Sequence, residues 1–483
     1  MQETLNYVGG EFMPLSANSR TLDVYNPADG KVISKMPLSG ASELDLAVAK
    51  AKAAFVEWSA LTLKERTQYF FKFRTLLELH KEELAALVQL ENGKIIGEAR
   101  AEVLKGMELT EFACSMPQII PDEIQEVSKG IECRTTHVPI GVVASITPFN
   151  FPLMVPLWTI PNALVLGNTM VLKPSEQTPM SAAKIASLIK EAGIPDGVFN
   201  IVNGDKEIVE AICDHPEIEA VSFVGSTRVA KIVYQRSTSN LKRCVALGGA
   251  KNHLIVLPDA AEEMAENIVA SMSGCAGQRC MAASAMVAVG NTDNMINLIC
   301  EEAKKLRVGN ELGTVISAEA KQRIERYITE AEAAGAKILV DGRNSTVQGL
   351  EGGYYVGATV IDHVTPDMAI AKEEVFGPVL SIMRTKSVDE AIAIENNSNY
   401  GNAASVYTQN GSMANYIMDR VSAGMVGVNV GVPVPREPFS FGGWNESRFG
   451  VNDITGKSSI QFWTKLKKRT TKWNAEDWKD WAS

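Results

Sequence analysis

The feature that most constrains this chain is an alternation. Short apolar runs ending in Gly, Pro, Ser or Asn follow one another as "GVVASITP" from Gly141, "NTMVLKPS" from Asn168, "GVFNIVNG" from Gly197, "AVSFVGS" from Ala220 and "HLIVLPDA" from His253. Amphipathic stretches such as "PMSAAKIASLIKEAGI" and "STRVAKIVYQRST" separate several of them. Apolar runs of strand length alternating with helical patterns predict βαβ units, hence a parallel sheet covered by helices on both faces. A second set follows Gly290, with "AKILVDG", "GYYVGATVIDHV", "GPVLSIMRT", "SVYTQ" and "AGMVGVNVG" as strands. Two α/β domains are expected, preceded by helices between Glu43 and about Val103, where apolar residues recur every three or four positions. Within 483 residues there is no repeat of solenoid period and no low-complexity linker, so the domains are expected to be interwoven. "IECRTTHVPIG" and the tail "SSIQFWTKLKKRTTKW" read as edge strands or arms that pair with another subunit.

Composition narrows the function classes. The net charge of -10 argues against a footprint for nucleic acid or anionic membranes, and the short basic cluster "KLKKRTTKW" reads as a solvated strand face. The N-terminus lacks a basic start followed by an apolar core, and no apolar run reaches the roughly eighteen residues of a membrane span. A cytoplasmic location is expected. Seven irregularly spaced cysteines suit a reducing compartment. No metal is expected, since Cys275 and Cys280 have no second pair nearby and His253 is isolated.

The motifs are weak one by one. G-x-G-x-x-G is absent, and "GVNDITGKSS" misses the P-loop spacing and precedes strand-like sequence. In "FVGSTRVAK" a strand stops at Gly225 and Ser226 opens a helix, a place for a pyrophosphate or simply a βα turn. "VLKPSE" puts Lys173 and Glu176 at a strand's carboxyl edge, where they suit a ribose or form a plain salt bridge. In "SGCAGQRCMA", Arg279 beside Cys280 would lower its pKa and attract an anion, whereas Cys275 lacks such company and reads as packing. Cys280 is thus a candidate nucleophile, with an ordinary half-buried thiol as the alternative. Asn150, in the turn "ITPFNFP", suits an oxyanion donor or a helix cap.

In this order and at these separations, "ITPFNFP", "GNTMVLKPSE", "SFVGST", "GQRC" and "EEVFGPVL" resemble the aldehyde dehydrogenase superfamily over nearly the whole chain. "GGAKNH", "GQRCMA", "GVNVGVPVP" and the C-terminal stretch further resemble its methylmalonate-semialdehyde dehydrogenase branch, which makes an acyl-CoA. The resemblance implies an α/β fold of two Rossmann-like parallel-sheet domains plus a small bridging β-sheet. The expected divisions are a discontinuous NAD-binding domain (1–117 and 138–247), a catalytic domain (248–460) and an oligomerisation arm (118–137 and 461–483), assembled as a dimer of dimers. It implies Cys280 as nucleophile, with Asn150 and the Cys280 amide as oxyanion hole. Lys173 and Glu176 would hold the adenosine ribose, Gly225 and Ser226 the pyrophosphate, and Glu374, Phe376 and Phe149 the nicotinamide end of NAD.

Departures from the family pattern bear on the chemistry. Where hydrolytic members have the glutamate of E-L-G-G, this chain reads "ALGGAKNH" with Ala246, so water lacks its base and CoA is the expected acyl acceptor. Lys105 replaces the branch's arginine, which with Arg279 is thought to clamp the substrate carboxylate; lysine keeps the charge but loses the bidentate fork. Arg436 and Arg448 stand where the branch is usually neutral, and Arg436 in the pocket would favour a bulkier anion, such as a sulfonate or phosphonate. "VGNELGTVISAEA" is a few residues shorter than in the family. The expected reaction is NAD-dependent oxidation of malonate or methylmalonate semialdehyde through a Cys280 thioester to acetyl-CoA or propionyl-CoA and carbon dioxide. The alternatives are a non-acylating dehydrogenase of another anionic aldehyde and a catalytically silent protein that keeps the fold.

Overall fold

Five parallel strands carry the first apolar set in the spatial order Phe199–Ile201, Thr169–Lys173, Val142–Ile146, Ile218–Val224, Arg243–Leu247. The computed structural model describes residues 2–15 and 19–473. Chain order therefore runs outward from Val142–Ile146 in one direction and then returns to its other side. That reversal opens a crevice at the carboxyl ends of the central strands, where doubly wound sheets bind ligands. The loop holding Asn150 and the turn at Gly225 both leave the sheet at this crevice. Val142–Ile146 and Thr169–Lys173 are buried at every position. This explains why they read as continuous apolar runs, and each buried Val, Leu or Ile adds about 1.5–3 kcal/mol.

Antiparallel strands complete this sheet to eight, Asn6–Val8 and Glu11–Met13 on one side and Arg448–Phe449 on the other. The last of these returns from beyond the second sheet, so the chain is interwoven. The second sheet has seven strands, in the order Lys337–Val340, Thr359–Asp362, Val379–Thr385, Ala283–Val289, Asn252–Val256, Ala403–Tyr407, Met425–Val428. All its pairings are parallel except the first. Of "GYYVGATVIDHV" only Thr359–Asp362 is strand.

Helix Ile96–Cys114 buries Ala99, Glu102, Val103, Gly106 and Met107, spaced by three and four, against helix Met154–Val165 beside the crevice. A three-stranded antiparallel sheet is formed by Ile124–Ser128, Ile131–Pro139 and Thr464–Lys472. Two expectations change here. Ile131–Pro139 is the central strand rather than an edge, because the tail pairs with it from Thr464 opposite Pro139 to Lys472 opposite Ile131. Further, "SSIQFW" after Gly456 is helix Ser458–Trp463 rather than strand: Ile460, Phe462 and Trp463 all reach the core, which a two-residue period would not allow. Residues 474–483 of the expected arm lie outside the described residues.

Candidate active site

The loop carrying Cys280 is built against backbone preference. Helix Met264–Ser273 is followed by Cys275 and Ala276 at φ 53° and 52°, in the left-handed region that costs a non-glycine residue about 1–3 kcal/mol. Gly277 follows at φ +70°, and a Cβ there would stand 2.0 Å from the Gly377 carbonyl oxygen. Only glycine lets the loop press on the segment that carries Glu374 and Phe376. The strain is offset by polar anchors. Glu98 accepts the Cys275 N–H at 2.6 Å, while the Gln278 side chain accepts from the Ile316 N–H at 3.1 Å.

Cys280 itself is held by its carbonyl. Asn252 Nδ2 and Asn402 Nδ2 each donate to Cys280 O at 2.8 Å, and Asn252 also donates to Ala282 O at 2.9 Å. The thiol lies in a narrow recess lined by Ala250, Asn252, Gly277, Arg279, Glu374 and Phe376. Asn150 approaches from the other sheet. Its Nδ2 donates to Gln278 O at 2.9 Å, and since an amide nitrogen carries two N–H groups, a second donor remains for an oxygen at Cys280. The helix-cap alternative falls away: Glu102, not Asn150, accepts the Leu153 and Met154 N–H groups at the start of helix Met154–Val165.

Electrostatics oppose a resting thiolate. Burial pushes the Cys280 thiol up to about 12, and the Glu374 charge adds to this; the backbone amides of Cys280 and Met281 and the Arg279 charge pull the other way without prevailing. Arg279 therefore lowers the thiol's pKa, as its sequence position suggests, but by less than burial raises it. Its Nη2 donates to Ala270 O at 2.6 Å and to Ser271 O at 3.3 Å, capping the preceding helix, and its Nε is buried without a protein partner. Gly274 makes room for this: a Cβ there would meet Nη2 at 1.8 Å. Burial also raises the Glu374 carboxyl to about 7 despite the Ala250 N–H it accepts at 3.0 Å, and lowers the Lys251 ammonium to about 7.

The residues expected to hold a cofactor lie at the crevice. Lys173 Nζ donates to Glu176 at 2.8 Å; burial alone would raise the Glu176 carboxyl, but the Lys173 charge and hydrogen bond hold it below its usual range. Ser226 is exposed before helix Thr227–Ser239 and does not cap it with its side chain, leaving the helix N-terminal amides available. Phe149 and Phe376 meet edge to face at 5.8 Å. A lysine–carboxylate pair at the strand edge, an open helix N-terminus and an aromatic pair form a set of groups that fits a dinucleotide. Ala246 is fully buried in strand Arg243–Leu247 and offers no polar atom. Lys105 pairs with Glu437 at 2.6 Å and with Glu108 at 3.1 Å, whereas Arg436 is exposed. Arg448 pairs with Asp453 at 3.0 Å. Among the described residues no group of three His, Cys, Asp or Glu could hold a metal ion, and no helix is long and apolar enough to cross a membrane.

Sequence reading misses Asn252, Asn402, Gln278 and Lys94. Asn252 and Gln278 sit inside "GGAKNH" and "GQRC", but nothing local marks them as the pins of these loops.

A half-buried cysteine in a recess near an asparagine amide, at the mouth of a doubly wound sheet, defines a thiol-dependent oxidoreductase site of the aldehyde dehydrogenase type. The aldehyde dehydrogenase family model matches residues 15–469, and the chain belongs to that family. Malonate-semialdehyde dehydrogenase 1 of Geobacillus thermodenitrificans is 45% identical over 483 residues, spanning 98% of this chain and 99% of its own. Methylmalonate-semialdehyde dehydrogenase from Oceanimonas doudoroffii superposes with a TM-score of 0.97 at 41% identity, over 99% of this chain and 100% of its own. A Sinorhizobium meliloti 1021 protein assigned the same activity, solved in complex with NAD, gives a TM-score of 0.96 at 41% identity, over 98% of this chain and 99% of its own.

Proposed function

We propose that this chain oxidises malonate or methylmalonate semialdehyde with NAD and passes the acyl group to CoA. The Cys280 thiolate adds to the aldehyde carbon, and the resulting oxyanion is held by the free Asn150 N–H and the Cys280 backbone amide. NAD, when bound, supplies the acceptor for the hydride that leaves this carbon. Lys173 and Glu176, Gly225 and Ser226, and Glu374 with Phe149 and Phe376 are the residues proposed to hold its ribose, pyrophosphate and nicotinamide ends. The acyl group then rests on Cys280 as a thioester. Loss of its β-carboxylate as carbon dioxide leaves an electron pair on the α-carbon, which takes up a proton. Attack by the CoA thiol frees Cys280 and gives acetyl-CoA or propionyl-CoA. Arg279 and Lys105 are proposed as the cations that receive the substrate carboxylate, with Arg436 at the approach.

One observation carries the acylating reading: Ala246, fully buried, stands where hydrolytic relatives place the carboxylate that activates water. Steady-state NADH formation with malonate semialdehyde, with and without CoA, tests it, and undiminished turnover without CoA refutes it. A second reading has its own support. The Glu374 carboxyl, raised to about 7 by burial in the same recess, is placed to activate water and would release a free acid. For assembly, the exposed apolar residues Ile124, Val127 and Leu466 on the three-stranded sheet support an arm that contacts other copies in a dimer of dimers. The proposed domains keep the limits 1–117 with 138–247, 248–460, and 118–137 with 461–483. The proposed location is cytoplasmic.

A further inference from the structure

Lys94 is a fully buried cation in no motif, and it touches the catalytic loop directly. Its Nζ donates to Asn150 O at 2.8 Å and to Glu102 Oε2 at 2.6 Å, and lies 4.2 Å from the centre of the Phe151 ring. Both charged side chains have no solvent exposure. The other Glu102 oxygen accepts the Leu153 and Met154 N–H groups at 2.9 and 3.0 Å. The loop from Asn150 to Met154 is thus gripped at both ends by one ion pair. Glu98, one turn before Glu102 on the same helix, accepts the Cys275 N–H at 2.6 Å. One short segment of chain therefore reaches both the asparagine loop and the strained loop that leads to Cys280.

We propose that Lys94 and Glu102 are positioning residues that set the Asn150 side-chain amide at its working distance from Cys280. Lys94 fixes the peptide plane that follows Asn150. The Nδ2 bond to Gln278 O then leaves the second Nδ2 N–H a single direction. Because these donors act on an oxygen that becomes fully charged only in the transition state, misplacing Asn150 costs rate rather than substrate affinity. An apolar residue at position 94 would leave the Asn150 carbonyl buried without its donor, and the loop would relax to find another.

The inference rests on the function proposed above, and its test separates the two. Removing Lys94 alone would strand a buried carboxylate, so the variant is Lys94→Met with Glu102→Gln. It leaves no unpaired buried charge, keeps the acceptor for Leu153 and Met154, and removes the donor to Asn150 together with the ion pair and the cation beside the Phe151 ring. Expected with the full-length enzyme is a fall in kcat on the order of 10- to 100-fold with little change in KM for the aldehyde. The rate of Cys280 alkylation by iodoacetamide, which needs no oxyanion donor, should be unchanged. Combined with Asn150→Ala, the pair should add no further loss. Turnover within about twofold of wild type overturns the inference, and so does a parallel loss of alkylation, which would place the effect on the nucleophile loop. If the pair does not fold, Lys94→Arg makes the same test, since it keeps the charge but cannot present one compact ammonium to both acceptors. A wild-type chain inactive on every short anionic aldehyde refutes the functional reading and this inference together; an active wild type with an unaffected variant refutes this inference alone.

Discussion

A thiol pushed up to about 12 makes a quantitative prediction for the substrate-free enzyme. At pH 8 such a group is ionised to about one part in ten thousand, against about one quarter for an unperturbed cysteine near 8.5. The rarer thiolate is also the better nucleophile, which by a Brønsted slope of about 0.4–0.5 recovers some 25- to 55-fold. Alkylation of Cys280 by iodoacetamide should then run about 40- to 100-fold slower than that of a free cysteine peptide. Glu374 shapes the profile. Its carboxyl is raised to about 7, so below that pH it is mostly neutral and above it an anion that disfavours the thiolate. The wild-type rate should rise through pH 10 without a plateau, with a shallower stretch near pH 7 as Glu374 ionises. Glu374→Gln should speed alkylation above that pH and leave it unchanged below.

The assay is the rate of labelling at Cys280 by peptide mass mapping in a Cys133→Ser background, since Cys133 is the other cysteine that is not buried. A plateau below pH 9, or a rate equal to that of the free peptide, would refute the reasoning and restore Arg279 as an activator of the resting thiol. The expected result instead couples proton loss from Cys280 to the binding of substrate or cofactor.

Other substitutions probe separate contacts. Gly274→Ala should displace the Arg279 guanidinium, whose Nη2 lies 1.8 Å from the added Cβ, and raise KM for an anionic aldehyde while far-UV circular dichroism stays unchanged. Glu437→Gln should free Lys105 from its 2.6 Å partner and lower that KM by about two- to fivefold, the range of a partly exposed ion pair; a rise would show that Lys105 does not meet substrate. Asn252→Ala removes the donors to Cys280 O and Ala282 O and the acceptor of the Ala403 N–H. It should cost about 1–3 kcal/mol in urea unfolding and lower kcat. Deleting the chain from Thr464 onward bares one edge of strand Ile131–Pro139 to new pairing while Ile124–Ser128 still holds the other, and sedimentation velocity should show a changed assembly.

The scaffold was legible where one residue's type decides its place. Runs such as Val142–Ile146, bounded by turn-forming residues and alternating with helical patterns, read as strands buried on both faces, and their turn-forming ends mark the crevice. Ser458–Trp463 was misread because six residues hold too few periods to tell a helix from a strand. Arg279 is legible only in part: its charge lowers the Cys280 pKa, but less than burial raises it. Adjacency in sequence suggested that its charge serves Cys280, but the left-handed turn at Cys275 and Ala276 sends its side chain back to carbonyls eight and nine residues earlier.

What no local pattern disclosed is the set of polar contacts that give the motif residues their geometry. Asn402 reaches Cys280 across 122 positions, Lys94 reaches Asn150 across 56, and Glu98 reaches Cys275 across 177. Asparagine, lysine and glutamate are common surface residues, so each such position reads as ordinary until the fold buries it. Burial then turns an unremarkable side chain into one whose loss strands a partner, which is why the enzyme can hold two non-glycine residues in left-handed conformation next to its nucleophile. The motifs therefore say which atoms react, while the long-range polar pairs decide where those atoms stand. Outside the motifs, kcat should therefore be most sensitive at Lys94 and Asn402.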